Sequence, residues 1–269
     1  MEVHHHAHAS DPALHRGRKK WTHNFWEFLM LFLAVFCGFL AENQREHMVE
    51  HRREKEFMVS MLSDLKSDTF NLGFMHRTFK QSISHIDSLI PLLEETELME
   101  TNAGKIYQQQ VILNLFFKWV YNDRTINQLK NSGNFRLIRK KNVSDEISAY
   151  DGYIRNFVGS MQDEYILPQW EKMNNEGAEI FKSSVWREYM KDIVGEWKYK
   201  PIQLPAEPYF ISTDKNRIQK FINRLQQSAV AFEWFNKITM IGFERAVKLD
   251  SLIRKEYHLS TDRRTPLEK

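Results

Sequence analysis

The chain has 269 residues, of which Gly (10) and Pro (7) make about 6 %, half the roughly 12 % of an average protein. So few breakers exclude β-sandwiches, propellers and collagen-like folds, each of which needs a turn signal every ~8–12 residues. With 42 % apolar and 27 % charged residues the chain can bury a core, its evenly mixed net charge of +3 excludes the basic stripe of a nucleic-acid binder, and one cysteine, Cys37, excludes an internal disulfide or a cysteine-based metal centre. The expected class is all-α, with no cofactor implied.

Residues 1–20 read as a polar tail carrying His4, His5, His6 and His8, then Arg16, Arg18, Lys19 and Lys20. Imidazoles this close together bind Zn, Ni or Cu, but weakly and without selectivity on a chain that fixes no geometry. Phe28 to Ala41 follows as fourteen uncharged residues, extended to about twenty by Trp21, Phe25 and Trp26, the length a ~30 Å bilayer core requires. Residues 21–41 are therefore predicted to form a transmembrane helix with an interfacial aromatic belt, and membrane lipid is the first expected partner. The run ends without the small residues of a signal-peptidase site, and Phe36 before Cys37 argues against a lipoprotein. Four basic residues precede the span, and Arg45, Arg52, Arg53 and Lys55 follow it; the denser upstream group orients the N-terminus to the cytoplasm and the body to the outside. Glu27, Ala34, Gly38 and Ala41 share one helix side, and Ala34-x-x-x-Gly38 and Cys37-x-x-x-Ala41 are small-x-x-x-small pairs, so a homo-oligomer joined there is expected.

Residues 42–56, rich in Glu, Arg and His with little apolar surface, read as a charged helical stalk held by pairs such as Glu50 with Arg53. The stalk contains His47-Met-Val-Glu-His51, the H-x-x-E-H arrangement of inverted zinc peptidases, in which two histidines hold the metal and the glutamate is the base. Its setting, a polar helix without an enclosing core, favours a solvated charged face, so the peptidase stands as the alternative reading.

Residues 57–259 read as an α-helical body. Met58, Met61, Leu65, Leu72, Met75, Phe79, Ile86 and Ile90 recur at helical spacing and predict a helix to Pro91 that bends near Gly73 or at the membrane surface. A turn at 101–104 precedes a core helix predicted from Lys105 to Val120, then a short helix stopped by Gly133 in a left-handed conformation. Ser144 is expected to open a helical region reaching Ile180 with a kink at Pro168. Gly195 to Phe210, with Pro201, Pro205 and Pro208, reads as an extended loop, and Thr213-Asp214 as the cap of a long helix to His258. Residues 260–269 read as a disordered tail. No glycine-rich phosphate loop or nucleophile elbow occurs.

The Met-Glu-Val-His-His-His start, the lead through Trp26-Glu-Phe-Leu-Met-Leu-Phe-Leu-Ala-Val, the exit Gly38-Phe-Leu-Ala-Glu-Asn-Gln-Arg-Glu46 and the stretch Leu129-Lys-Asn-Ser-Gly-Asn-Phe-Arg-Leu-Ile138 together resemble an uncharacterised bacterial family of single-pass membrane proteins. The resemblance implies a native histidine-rich tail and a membrane anchor, and it assigns no catalytic residue. The expected function is a non-enzymatic interaction, sensory or scaffold module of the bacterial inner membrane, with an envelope protein as a further partner.

Overall fold

The computed structural model describes residues 16–116, 118–193, 202, 204 and 206–260, and the chain divides into two units, residues 1–54 and 55–269. The class is all-α: among the described residues the only β pairing is an isolated bridge between Phe181 and Phe210. Helix α1 (Arg16–Glu94) supplies every described residue of the first unit and the opening element of the second. It runs unbroken through Gly73 and ends at Glu94 rather than before Pro91. A proline one turn from a helix end forfeits a hydrogen bond where few remain to be lost, so it does not stop this helix.

The core of the second unit forms where the apolar stripe of α1 meets α7 (Lys215–Glu256). Met58, Met61, Leu65, Leu72, Met75, Phe79 and Ile86 are buried, and the Phe79 ring sits edge-on to Phe232 and Phe235 at centroid distances of 5.1 and 5.0 Å. The N-terminus of α7 is capped as its sequence predicts, with the Asp214 carboxylate accepting from the Arg217 amide at 2.9 Å. At Gly242 the backbone comes close to its neighbours: a Cβ there would lie 3.2 Å from Ile154 Cδ1 and 3.7 Å from Leu72 Cδ1.

Helix α2 (Ala103–Leu113) is shorter than the expected Lys105–Val120, and residues 115, 116 and 118–120 are irregular. The cause is a competing partner. The buried Gln162 carboxamide accepts from the Trp119 amide at 2.7 Å and donates to the Trp119 carbonyl at 3.1 Å, satisfying in tertiary contact what a helix would have satisfied locally.

Helix α3 (Arg124–Asn131) ends as expected, with Gly133 at φ 68° and no atom of the described residues within 4 Å of where its Cβ would lie. Space is therefore available for a side chain and only the backbone resists one. Gly133→Val is expected to cost about 1 kcal/mol or more, and Gly133→Asn less, because asparagine tolerates the left-handed region. Equal melting temperatures for both variants and the parent would contradict this.

The next helical stretch runs from Lys141 to Gly177, not from Ser144 to Ile180. Helix α4 (Lys141–Tyr153) passes through two π-helical segments, Ile154–Gly159 and Gln162–Ile166, into α5 (Leu167–Gly177). Pro168 falls in the first turn of α5 instead of kinking a longer α-helix, and the wide turn before it relieves the clash its ring would otherwise make with a preceding carbonyl. Both α4 and α5 pack along α7, and α2 packs against α6 (Ser183–Ile193). Of the predicted proline loop, Gly195, Pro201 and Pro205 lie outside the described residues. Pro208 precedes the irregular strip that carries Phe210 to its bridge with Phe181.

Candidate functional site

Within the first unit, α1 presents two unlike faces. Glu27, Ala34, Gly38 and Ala41 lie within about 60° of one another at 100° per residue. They are exposed, and no atom of the described residues comes within 4 Å of a Cβ built on Gly38. His23, which the sequence reading passed over, belongs to this side too, its Nε2 3.1 Å from Glu27 Oε1. The opposite side carries a ladder of rings, with Phe28 stacked on Phe32 at 6.4 Å and Phe32 on Phe36 at 5.9 Å. A groove of small residues backed by an aromatic ridge can bring a second backbone close on one side while covering the other with rings. The exposed Cys37 lies beside that groove.

The H-x-x-E-H residues are all on the described part of α1. His47 Nδ1 lies 4.0 Å from Glu50 Oε2, whereas His51 Nδ1 lies 3.3 Å from Glu54 Oε2. Each imidazole therefore turns to the carboxylate three residues on, and Glu54, expected in a solvated stalk, is buried. Among the described residues no three His, Cys, Asp or Glu side chains converge on a point that could hold a metal ion. His4, His5, His6 and His8 lie outside the described residues.

The body holds a polar cluster that the sequence reading missed. Asp64 and Asp68, one turn apart on α1, are each 1 % exposed. Asp64 accepts from the Arg124 guanidinium at 2.8 Å and the Thr125 amide at 2.9 Å. Asp68 accepts from the Asn122 amide at 3.1 Å and the Tyr150 hydroxyl at 2.7 Å. Together the two carboxylates tie α1 to the start of α3 and to α4. Burial pushes the Asp68 carboxyl up to about 7; the bonds from Tyr150 and Asn122 oppose the rise, and Asp64 and Asp123 add to it. Burial, reinforced by neighbouring carboxylates, likewise pushes the Tyr150 and Tyr121 phenols up.

Beside them Asp151 behaves in the opposite way. Burial would raise its carboxyl, but Lys130 at 2.6 Å and Arg155 at 2.8 Å hold it below the usual range. Arg155 also reaches Asp123 at 2.8 Å and Asn127 at 2.9 Å, and its guanidinium lies 5.2 Å from the Tyr121 ring centroid. This web of buried and half-buried bonds locks three helices together. Each oxygen of Asp64 and Asp68 accepts one backbone or side-chain hydrogen bond, which is the chemistry of a structural tie. Neither a protein-family model, nor a curated protein, nor a solved structure matches this chain.

Proposed function

We propose that the chain is a membrane-anchored helical module of the bacterial envelope, sensory or scaffolding, that self-associates through α1 and holds its body outside the cytoplasmic membrane. One observation carries the reading. Twelve large apolar residues between Trp21 and Leu40 are exposed, among them Leu31 at 68 % and Val35 at 69 %, and none of the apolar window of this helix is buried inside the chain. Left in water, each forgoes about 1.5–3 kcal/mol of burial, tens of kcal/mol in total, and the patch far exceeds what soluble monomers tolerate. Lipid, supplemented by a second copy along the small-residue groove, supplies the missing cover. The resemblance to single-pass bacterial proteins agrees with this, as does the dense basic group before the span for the orientation.

Fractionation tests the anchor. The full chain is expected in carbonate-washed membranes and a chain starting at Glu56 in the soluble fraction; full chain recovered in solution without detergent would refute the proposal. Self-association has its own test. Gly38→Ile is expected to weaken cross-linking through Cys37 in native membranes while leaving the melting of the body unchanged, since the bulk separates backbones that gain their contacts by close approach. If Cys37 yields no dimer in the parent, α1 is an anchor alone.

A further inference from the structure

A cleft of about 210 Å³ opens between α2, α5 and α6 in the body. Three carboxamides line it, from Gln110, Asn114 and Asn174, together with the indoles of Trp170 and Trp186 and the Ser183 hydroxyl. The walls are fixed before any ligand arrives. Trp170 donates its indole N–H to the Leu113 carbonyl at 3.0 Å and packs on Phe116 at 5.2 Å. The Tyr107 hydroxyl accepts from the Lys182 amide at 2.9 Å and donates to the Tyr209 carbonyl at 2.8 Å, which pins the turn carrying Lys182 and Ser183.

The polar atoms are only half used. Gln110, 7 % exposed, gives its Nε2 to Asn114 Oδ1 at 3.0 Å, and Asn174 gives its Nδ2 to the Trp170 carbonyl at 3.1 Å. Among the described residues this leaves Gln110 Oε1, Asn114 Nδ2, Asn174 Oδ1 and the Trp186 indole N–H without a hydrogen-bond partner, acceptors and donors on residues that line one cleft. Charge is nearly absent. Among the described residues none that lines it is a carboxylate, and one is a cation, Lys182, whose ammonium is turned to the backbone carbonyls of Ala206 and Pro208.

A ligand suited to this cleft is uncharged, offers adjacent groups that both donate and accept, and has an apolar face to lay on an indole. Neutral sugars have these three properties at once: vicinal hydroxyls match the paired donor and acceptor of a carboxamide, and the C–H face of a pyranose packs on the electron-rich face of tryptophan. A volume below the ~300–1,000 Å³ of drug-sized sites admits one ring. We propose that this cleft binds a single neutral pyranose, either as a free monosaccharide or as the terminal unit of a glycan. The inference stands on the body alone and does not depend on whether α1 crosses a bilayer.

The test uses the full chain in lipid nanodiscs or an amine-oxide detergent, because glycoside detergents would compete. Tryptophan emission and calorimetry follow titration with glucose, galactose, mannose and N-acetylglucosamine, with short oligosaccharides of the same sugars, and with glucuronate and glucosamine as charged controls. At least one neutral sugar is expected to saturate in the millimolar range. Asn174→Ala should weaken it about tenfold with the melting temperature unchanged, and Trp186→Ala should weaken it as much while also lowering the melting temperature, since its side chain packs against the core. Should Trp186→Ala fail to fold, Trp186→Phe keeps a ring but lacks the N–H and is expected to weaken binding as well. Binding of the free ring identifies a monosaccharide site, and binding of oligosaccharides only identifies a glycan terminus. Saturation by no neutral sugar, preference for the charged controls, or indifference to both substitutions would overturn the proposal.

Discussion

Asp68→Asn is expected to make the body more stable than the parent at pH 8.5, by about 4 kcal/mol, and to change it by no more than about 1 kcal/mol at pH 4.5. The sign follows from the direction of the shift. An unfolded aspartate releases its proton near pH ~3.9, whereas burial holds the folded Asp68 carboxyl at about 7. The folded state therefore binds the proton more tightly, and its full stability is present below the unfolded value. As pH rises from about 4 through 7 the unfolded chain ionises first, and roughly three pH units at about 1.4 kcal/mol each are lost. Asparagine keeps the geometry without the titration, since its carbonyl can still accept from the Asn122 amide and its amino group can donate to the Tyr150 oxygen. Tyr150 and Tyr121, whose phenols the Asp68 charge helps to raise, are held up first by burial and stay protonated at both pH values in variant and parent alike. Asp151, whose depressed carboxyl stabilises above the unfolded value and loses that contribution as pH falls, cancels in the difference. Urea denaturation at the two pH values decides the matter, and parallel curves for variant and parent would remove Asp68 as their cause.

Gln162→Leu should be the most damaging near-isosteric change in the body. It removes no apolar contact, yet it orphans both the amide and the carbonyl of Trp119, a residue 4 % exposed. Two buried backbone groups without partners cost about 3 kcal/mol or more together, and about 10 °C in the melting temperature of a domain this size. Gln169 supplies the contrast. Among the described residues its buried carbonyl oxygen has no partner, so Gln169→Leu orphans nothing through that atom and is expected to stay within about 1 kcal/mol of the parent. Equal melting of the two variants would mean that the Trp119 bonds do not hold the backbone there.

Much of this architecture is legible without coordinates, because it rests on local physics. The stripe from Met58 to Ile86 predicts its own burial by spacing alone, Asp214 its cap, and Gly133 its left-handed turn. The Asp64 and Asp68 cluster had a signal that went unread: Asp68 falls in the middle of the apolar stripe, between Leu65 and Leu72, where a carboxylate is costly unless other elements supply donors. A second signal lay in Ile154, Val158, Gln162 and Ile166. Four buried positions spaced uniformly by four drift around an α-helix but stay aligned in the wider turn found there. Glu27, Ala34, Gly38 and Ala41 were placed on one side from spacing, and so they lie, but their partner His23 needed the helix to be built.

What the amino-acid order determined by itself is everything that depends on neighbours within one or two turns: the all-α class, the apolar stripes, the caps, and an N-terminal helix long and apolar enough to cross a membrane. What only the tertiary structure decided is where backbone and charge find distant partners. Helix α2 stops at Leu113 because Gln162, 43 residues after Trp119, takes over the hydrogen bonds of Trp119. Asp68 survives burial because Tyr150, 82 residues away, and the Asn122 amide meet its oxygens. The polar cleft likewise exists only because α2, α5 and α6 converge. Helical periodicity encodes which side of a helix is covered, whereas the partner that covers it is set by packing between segments whose separation along the chain carries no such period.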